Sequence, residues 1–255
     1  MHVVITGASA GIGEALARAW AARGASLTLV ARRKDRLDKI AAEVGGKTFV
    51  HAADLSIVEQ ATEWIGPAEE ALGPIDVLVN NAGVQHIEAT ELSVPEDGER
   101  LLRLNVFTPM RLTRAVLPGM LARRRGTIVD ISSMAALAPM PGMFYYNAAK
   151  GGIGNASEGL RGELLGTGVH VVTVYPGPVD TDMSRAGYEK YEPTLAARLS
   201  PEGTTDGLAK LILKAVDRRR ARVIYPRTYA IALSFPRLAR WFTGRFSPPV
   251  KRLPG

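Results

Sequence analysis

Tyr146 and Lys150 are the residues whose types and spacing most directly suggest chemistry. They lie in MFYYNAAKGG, residues 143–152, where two neighbouring tyrosines precede a lysine. Each residue of an α-helix turns by ~100°, so Tyr146 and Lys150, one turn apart, share a face, while Tyr145 lies roughly 140° from the lysine. If a helix runs through this stretch, Tyr146 is the tyrosine that can work with Lys150. Such pairs are common on ordinary helices, so the rest of the chain decides whether the pair is catalytic.

The composition fits one large α/β domain. The chain has 255 residues, of which 46% are hydrophobic and 22% charged, values ordinary for a globular protein. No apolar run approaches the ~20 residues that span a bilayer, and the start, MHVVITGAS, lacks the pattern of a signal peptide, so we expect a cytoplasmic protein. The absence of cysteine excludes disulfides, thiolate catalysis and Cys-ligated zinc. The four histidines show no metal-ligand spacing, and we predict no metal site.

The positive charge is concentrated at the C-terminal end of the chain. From residue 210 onward there are twelve Lys and Arg against one acid, Asp217, or +11, so with a net charge of +7 the first 209 residues sum to −4. The basic segment contains aromatic residues but no zinc or base-stacking motif, so we do not expect nucleic acid as a partner.

Short apolar segments alternate with helical patterns over the first ~225 residues, which predicts a parallel sheet covered on both faces. The predicted strands are residues 2–6, 26–30, 48–52, 75–79, 126–131, 169–174 and 222–225. The predicted helices are residues 13–23, 34–43, 57–72, 95–123 (divided near Pro109), the helix of the Tyr146–Lys150 pair to about 165, and 204–217. Right-handed crossovers would make this a single-domain, Rossmann-type doubly wound α/β fold.

Glycine and polar residues follow the predicted strands, at the sheet edge where such folds bind ligands. After the first strand comes TGASAGIG, residues 6–13. Its glycines permit close approach of a pyrophosphate, and the helix that it opens supplies N–H groups. Its spacing differs from the common G-x-G-x-x-G, and a tight strand-to-helix joint is the alternative interpretation. Asp54, the NNAG of residues 80–83 and Ser132-Ser133 follow the third, fourth and fifth strands, where each alone could be a cap or turn.

Arg32 and Arg33 follow the second strand, with no acid before Asp35. An acid here would bond the ribose 2′-hydroxyl of NAD, whereas arginine accommodates the 2′-phosphate of NADP. The alternative is that both arginines are ordinary surface residues. The missing acid and the two cations both favour a 2′-phosphate, and we predict NADP(H).

These segments together resemble the short-chain dehydrogenase/reductase family, whose motifs appear here in family order to about Tyr225. The matching elements are TGASAGIG, Asp54, NNAG, Asn105, Ser133, the Y-x-x-x-K of Tyr146 and Lys150, and PGPVDT at residues 176–181. Ser133 stands thirteen residues before Tyr146, the usual family interval. That interval selects Ser133 over Ser132 and, independently of the helix argument, Tyr146 over Tyr145.

The resemblance implies an oxidoreductase that interconverts a carbonyl and a secondary alcohol with NADP(H). It assigns Tyr146 as the acid/base, Lys150 as the cation that lowers the tyrosine pKa and holds the ribose, and Ser133 as a hydrogen-bond donor to the substrate oxygen. Asn105 would position a water that connects Lys150 to solvent, although a polar residue that relieves a helix kink fits equally well. The alternative function is a non-catalytic NADP-binding redox sensor or regulatory protein, which would not need all four of these residues.

The cofactor-binding residues that the resemblance implies lie in six segments of the chain. They are Gly7, Ser9, Ala10, Gly11, Ile12, Gly13, Arg32, Arg33, Asp54, Leu55, Asn81, Ala82, Gly83, Tyr146, Lys150, Pro176, Gly177, Val179 and Thr181. The substrate is expected to be an apolar, bulky carbonyl or alcohol, because Met134, Met140, Met143, Phe144 and Tyr145 flank the catalytic pair and Met183 and Tyr188 lie in the lid region. Plain core packing is the alternative for the former group.

We divide the chain into a catalytic domain, residues 1–227, with a substrate lid at about 178–200, and a basic, apolar extension, residues 228–255. Five glycines crowd the Tyr146 helix (151, 152, 154, 159 and 162), which close helix packing would justify, and the family commonly forms its dimer interface there. We therefore expect a homodimer or homotetramer. The extension carries apolar residues at helical spacing between arginines, a pattern that suits an anionic membrane surface. Packing on a neighbouring subunit or covering the substrate pocket is the alternative.

Overall fold

A seven-stranded, fully parallel sheet forms the centre of the protein. The computed structural model describes residues 1–194 and 200–252. The strand order is β3-β2-β1-β4-β5-β6-β7. The strands are β1 His2–Thr6, β2 Ser26–Ala31, β3 Thr48–Ala52, β4 Val77–Asn80, β5 Gly126–Ile131, β6 Val169–Pro176 and β7 Arg222–Tyr225. The predicted doubly wound α/β fold is confirmed.

Helices cover both faces of the sheet, as the two-sided apolar strands require. They are α1 Gly11–Ala21, α2 Lys34–Val44, α3 Ile65–Leu72, α4 Pro95–Leu102, α5 Thr108–Ala122, α6 Phe144–Glu163, α7 Asp182–Tyr188, α8 Thr205–Asp217, α9 Ile231–Ser234 and α10 Pro236–Phe246. Val3 and Ile5 of β1 pack in one core with residues of α1 and α8, and Val4 packs in the other with residues of α5. Successive side chains of a strand point to opposite faces, so each strand contributes to both cores.

The predicted helix over residues 57–72 is wrong in its first half. Residues 55–64 form turns, and the regular helix α3 begins only at Ile65. Pro67 explains the late start, because it lacks the N–H that an interior helical position must donate and is tolerated only in the first turn. Val58, Ala61 and Trp64 are nevertheless buried, which is why their spacing resembled a helix.

The helix predicted over residues 95–123 is divided ahead of Pro109, as expected. The division is a π-helical segment, Arg103–Phe107. Pro109, in the first turn of α5, has no N–H to donate to the carbonyl of Asn105, so the regular bonding pattern cannot cross this point. The interruption places Asn105 inward, where it is buried.

Most other boundaries differ from the predictions by two residues or fewer at each end, which is the ordinary uncertainty of helix and strand ends. Helix α1 begins at Gly11, two residues earlier than predicted, and β6 continues to Pro176. The lid region contains α7, and Val179 pairs with Gly203 just beyond it. Residues 195–199 of the predicted lid and 253–255 of the extension lie outside the described residues.

The glycines of α6 do not pack against another helix of the same chain. A Cβ atom added to Gly151, Gly152, Gly159 or Gly162 would meet no described atom within 4 Å, and only Gly154 is packed, against Ser132 and Tyr175. The predicted oligomer therefore remains a prediction, and the open face of α6 is the surface on which it depends.

The C-terminal segment folds back toward the lid region. Lys251 N–H donates to the Lys190 carbonyl at 2.9 Å, and Glu192 N–H donates to the Pro249 carbonyl at 2.9 Å. Across residues 1–194 and 200–252, no helix is long and apolar enough to cross a membrane.

Candidate active site

A cavity of about 1180 Å³ lies at the C-terminal ends of the strands. All of the predicted catalytic and cofactor-binding residues line it except Gly13 and Asn105. The fold thus brings together residues that lie up to 174 positions apart, from Gly7 to Thr181, because parallel strands end at one edge of the sheet.

The Gly-rich turn is shaped by close backbone contacts that exclude side chains. Gly7 has a φ of +66°, and a Cβ there would stand 2.8 Å from Ala82 Cα. Gly11 has a φ of +56°, and its Cβ would stand 3.2 Å from Thr181 Cγ2. Helix α1 begins here with Ala10 as N-cap and no side-chain cap, so its first N–H groups are available to an anion at the cavity wall. This uncapped glycine cradle fits a dinucleotide pyrophosphate.

Gly13 supports the turn from beneath and does not line the cavity. A Cβ at this position would stand 2.3 Å from the Gly7 carbonyl oxygen and 2.7 Å from Asn81 Nδ2. Its place in the sequence motif therefore has a packing reason, namely close contact between α1 and the preceding turn.

Hydrogen bonds join the NNAG segment to the Gly-rich turn. Asn81 Nδ2 donates to the Thr6 carbonyl at 2.8 Å, and the N–H groups of Asn81 and Ala82 both donate to Thr6 Oγ1 at 3.0 Å. Asn80 instead points into the core, where its Nδ2 donates to Asp130 Oδ1 at 2.8 Å. These contacts hold the ends of β1 and β4 in fixed register at the cavity.

Both arginines after β2 line the cavity. The Arg33 guanidinium donates to Ser9 Oγ at 3.1 Å, which holds it beside the Gly-rich turn. Asp54, at the end of β3, accepts from the Ser56 N–H at 2.9 Å and from Ser56 Oγ at 2.8 Å. The arginines and Asp54 thus form the end of the cavity farthest along the sheet from Tyr146.

The two tyrosines point in different directions, as the helical arithmetic requires. Tyr146 lines the cavity and is 9% exposed. The Tyr145 ring instead packs against α4, where a Cβ added to Gly98 would stand 2.4 Å from it. Met134, Met140 and Met143 line the cavity with Tyr146, whereas Phe144 and Tyr145 do not.

Ser132 and Ser133 also have separate environments. Ser132 is buried, and its Oγ donates to the Lys150 carbonyl at 2.8 Å, so it fastens α6 to the end of β5. Ser133 Oγ accepts from the Ala135 N–H at 3.1 Å, and the same hydroxyl hydrogen-bonds Tyr146. Only Ser133 therefore has a hydroxyl at the tyrosine.

Lys150 is buried beside Tyr146 without bonding its phenol. Its Nζ donates to the Ile131 carbonyl at 2.8 Å and lies 5.8 Å from the centroid of the Tyr146 ring. Burial lowers the pKa of Lys150 to about 8, an effect that the buried Asp130 carboxyl opposes. Burial raises the pKa of Tyr146, and the hydrogen bond with Ser133 opposes that rise. In the protein alone, burial thus raises the tyrosine pKa, and the lowering by Lys150 that the resemblance implies stays a prediction.

The burial of Lys150 has a measurable consequence for stability. A lysine of the unfolded chain titrates near pH ~10.4, whereas the pKa of Lys150 in the folded protein is about 8. Between these pH values the unfolded chain binds the additional proton, so the free energy of unfolding rises with pH by about 3 kcal/mol in all. We expect urea unfolding from about pH 8 to pH 10 to show this gain in the wild type and not in Lys150→Met, which cannot titrate. A stability difference between the two proteins that is constant across that range would contradict the assignment.

Asn105 connects the π-helical segment to the loop after β4. Its Nδ2 donates to the Val84 carbonyl at 2.8 Å, and its Oδ1 accepts from the Val84 N–H at 3.0 Å. A Cβ at Gly83 would stand 3.0 Å from Asn105 Oδ1 and 3.6 Å from Lys150 Nζ. Asn105 is therefore a neighbour of Lys150 across Gly83, and its predicted water-binding role stays a prediction.

One wall of the cavity comes from residues that the sequence motifs did not identify. Phe235, Leu238, Phe242 and Phe246 of the C-terminal segment line it, together with Ile87 and Tyr191. Tyr229 closes this side onto the PGPVDT segment, because a Cβ at Gly177 would stand 3.0 Å from its ring. For the C-terminal segment, the helical spacing of its apolar residues indicated a packed side, and covering the substrate pocket is one of the two roles given for it above. Ile87 lies in the loop after NNAG, where no helical or strand pattern indicated a place at the cavity.

Comparison with known proteins places these residues in a family. The family model described as short chain dehydrogenase matches residues 1–192. A short chain dehydrogenase of Pseudocercospora fijiensis is 39% identical over 71% of this chain, and this chain spans 60% of that protein's length. The 11-beta-hydroxysteroid dehydrogenase 1A of Arabidopsis thaliana is 35% identical over 94% of this chain and 73% of its own length.

A solved structure extends the likeness to nearly the whole fold. The short-chain dehydrogenase from Sphingobium yanoikuyae in complex with NADPH is 33% identical, with a TM-score of 0.80 over 99% of this chain and 98% of that one. The chain therefore belongs to the short-chain dehydrogenase/reductase family, a family of oxidoreductases that use a nicotinamide cofactor.

Proposed function

We propose that the protein is an NADPH-dependent reductase of a bulky, apolar carbonyl compound. One observation carries the proposal: a single cavity runs from the Gly-rich turn and two arginines, past Tyr146 and Ser133, to an apolar wall. Such a cavity has a polar end suited to a phosphorylated cofactor, a proton donor in the middle and an apolar end for the substrate.

The chain's own residues would hold the cofactor at the polar end. The turn from Gly7 to Ile12 would receive the pyrophosphate, Arg32 and Arg33 the 2′-phosphate, and Asp54 with Leu55 the adenine side. Lys150 would hold the ribose hydroxyls, and Gly83 and the PGPVDT segment would enclose the nicotinamide. When bound, NADPH supplies the hydride that the carbonyl carbon needs.

Tyr146 would donate the proton to the substrate oxygen. Burial raises the pKa of its phenol above the ordinary value, so the side chain is neutral and carries its proton near pH ~7. Ser133, which hydrogen-bonds the phenol, would stabilise charge as it develops on the same oxygen. A neutral phenol is suited to giving a proton to a carbonyl oxygen, which is the proton transfer that carbonyl reduction needs.

The apolar end of the cavity indicates the substrate class. Met134, Met140, Leu238 and Phe242 are among its lining residues, and such surfaces gain affinity by removing apolar groups from water. The Arabidopsis relative is named for a hydroxysteroid, a bulky, apolar alcohol. We propose a ketone or aldehyde on an apolar skeleton of comparable or greater length.

The cofactor preference is tested by changing the two arginines. Arg32→Ala/Arg33→Ala removes both cations that would face the 2′-phosphate, so we expect the KM for NADPH to rise by roughly 100-fold and the KM for NADH to change by less than about 3-fold. Ala31→Asp, which adds an acid at the end of β2, should also raise the KM for NADPH much more than the KM for NADH. Initial rates with each cofactor measure both effects. A wild-type enzyme that prefers NADH would contradict the proposal.

The second candidate is a protein that binds NADPH without turnover. A panel of steroid, long-chain and aromatic carbonyls, followed by the loss of NADPH absorbance, separates the two functions. Consumption that depends on the carbonyl supports the reductase, whereas binding without consumption across the panel supports the sensor.

The assembly and the division of the chain complete the proposal. Phe107, Met110 and Phe144 are large apolar side chains that are between 48% and 60% exposed, and together with the open glycines of α6 they would form a subunit interface. We propose a homodimer or homotetramer built on this surface.

We also propose that residues 1–227 form the catalytic domain and that the extension, residues 228–255, supplies one wall of the cavity.

A further inference from the structure

Six large apolar side chains of the C-terminal segment point outward and form what we call the C-terminal apolar face. Each is between 45% and 61% exposed. They are Ile231, Phe235, Leu238, Trp241, Phe242 and Phe246. Several large, exposed apolar side chains in one short segment are a feature of interaction sites.

The aromatic residues of this face form one cluster. The Trp241 and Phe246 rings are 5.9 Å apart and nearly perpendicular, and Phe242 lies 4.8 Å from Phe246. The Arg245 guanidinium lies 5.7 Å from the Phe246 ring. Aromatic rings beside arginine are typical of segments that lie at the boundary between lipid and water.

Three arginines of α10, Arg237, Arg240 and Arg245, accompany the apolar residues of this face. Between residues 227 and 252 the sequence has six Lys and Arg and no Asp or Glu. Arg252 pairs with Glu91 at 3.4 Å, but within residues 1–194 and 200–252 no carboxylate forms an ion pair with Arg237, Arg240 or Arg245 of α10. Among the described residues, the charges of these three arginines are therefore not neutralised by an ion pair.

The arrangement on α10 is that of a helix lying in a membrane surface. At ~100° per residue, Leu238, Phe242 and Phe246 share one side of the helix, and Arg237 and Arg240 lie roughly 140° to 160° from its centre. Trp241 lies roughly 100° from that centre and Arg245 roughly 60°, so Arg245 lies between Leu238 and Trp241 at the edge of the apolar side. Such a helix buries its apolar side among acyl chains while its cations contact anionic headgroups.

The cavity opens through this same face. Ile231, Phe235, Leu238, Phe242 and Phe246 each line the cavity and are also exposed, so they form its rim. Met183 and Tyr188 of α7, also exposed, line the cavity as well. An apolar molecule could pass from a lipid phase to Tyr146 without crossing water.

We propose that the C-terminal apolar face docks on an anionic lipid membrane and that the apolar substrate enters the cavity from it. The entry step rests on the proposed reductase function, and the docking does not. A second copy of the chain is a poorer occupant, because a symmetric contact would bring two copies of the same arginine border together.

Trp241 is a built-in probe for the experiment. The chain has three tryptophans; Trp20 and Trp64 are 0% exposed, whereas Trp241 is 61% exposed. We expect vesicles of phosphatidylcholine with about a third phosphatidylglycerol to shift the fluorescence of the full-length protein to the blue, and brominated acyl chains to quench it. In Trp241→Phe the remaining emission should not respond to vesicles.

A matched pair of charge variants tests the role of the arginines. Arg237→Gln/Arg240→Gln/Arg245→Gln should weaken binding to the anionic vesicles by roughly 100-fold. Arg218→Gln/Arg219→Gln/Arg220→Gln removes the same charge near the start of β7, at the opposite sheet edge, and should bind as the wild type does. Neither triple variant touches a cavity residue, so turnover of a short, water-soluble ketone should be unchanged in both.

Several results would overturn the docking. One is the absence of vesicle binding by the wild type, and another is an equal loss of vesicle binding in both triple variants. A third is a blue shift without vesicles that grows with protein concentration and subunit mass, which would assign the face to a second copy of the chain. Failure of the proposed function is seen separately, as absence of NADPH consumption with the soluble ketone. With docking and turnover both present, anionic vesicles should lower the KM for a long-chain ketone, and an unchanged KM would overturn entry from the membrane.

Discussion

Tyr146→Phe is expected to lower kcat for carbonyl reduction by roughly 1000-fold while NADPH still binds, because the variant loses only the group that gives a proton to the substrate oxygen. The ring would remain in place, since Tyr146 is a buried residue of α6 at the cavity wall. Initial rates measure the loss of turnover, and the change in NADPH fluorescence on titration measures the binding.

Tyr145→Phe is the matched control, because it makes the same chemical change one residue away. The Tyr145 ring packs against Gly98 and does not line the cavity. We expect it to retain most of the wild-type rate. If Tyr145→Phe is the inactive variant and Tyr146→Phe the active one, the assignment of the acid is wrong.

Gly13→Ala should disrupt the cofactor site through packing alone. The added Cβ would stand 2.3 Å from the Gly7 carbonyl oxygen and 2.7 Å from Asn81 Nδ2, closer than any real contact of that kind, so α1 and the Gly-rich turn must separate. We expect a loss of roughly 100-fold in NADPH affinity, together with about 1–3 kcal/mol in the free energy of unfolding, as found for overpacked sites.

Gly152→Ala is the control for Gly13→Ala. It lies within α6, and an added Cβ would meet nothing within 4 Å in the chain. Alanine is the better helix former by up to ~1 kcal/mol, so the helix itself is not weakened and this variant should bind NADPH normally. Because Gly152 lies on the proposed subunit interface, subunit mass is measured beside NADPH affinity to separate a change in assembly from a change in the cofactor site. NADPH affinity and stability of Gly13→Ala equal to the wild type would show that the turn does not depend on this close contact.

Features that rest on local pattern were predicted correctly from the sequence. Val3, Val4 and Ile5 are apolar on both sides of one strand, and this alone requires layers above and below the sheet. Helical geometry places Tyr146 on the same side of the helix as Lys150 and turns Tyr145 away from the lysine. The error at residues 57–72 has a local cause as well, because Pro67 permits a helix only from Ile65 while burial of Val58 and Ala61 imitates helical spacing.

Features that rest on distant contacts were not predictable in the same way. Phe235 and Leu238 line the same cavity as Tyr146, about 90 residues earlier in the chain, and no local pattern records that meeting. The pKa of Tyr146 is a second case. The sequence shows that a lysine stands one turn away, but the burial that raises the pKa of Tyr146 depends on the packing of the whole site.

The most direct test of the central claim uses NADPH with deuterium at both C4 positions of its nicotinamide ring, so that either face delivers the label, and an apolar ketone that the wild-type enzyme consumes. Product analysis by mass spectrometry should find one deuterium on the carbinol carbon for each NADPH oxidised, and none with Tyr146→Phe over the same interval. NADPH oxidised without deuterium on that carbon, or bound without oxidation, would contradict the proposal that this cavity reduces a carbonyl group.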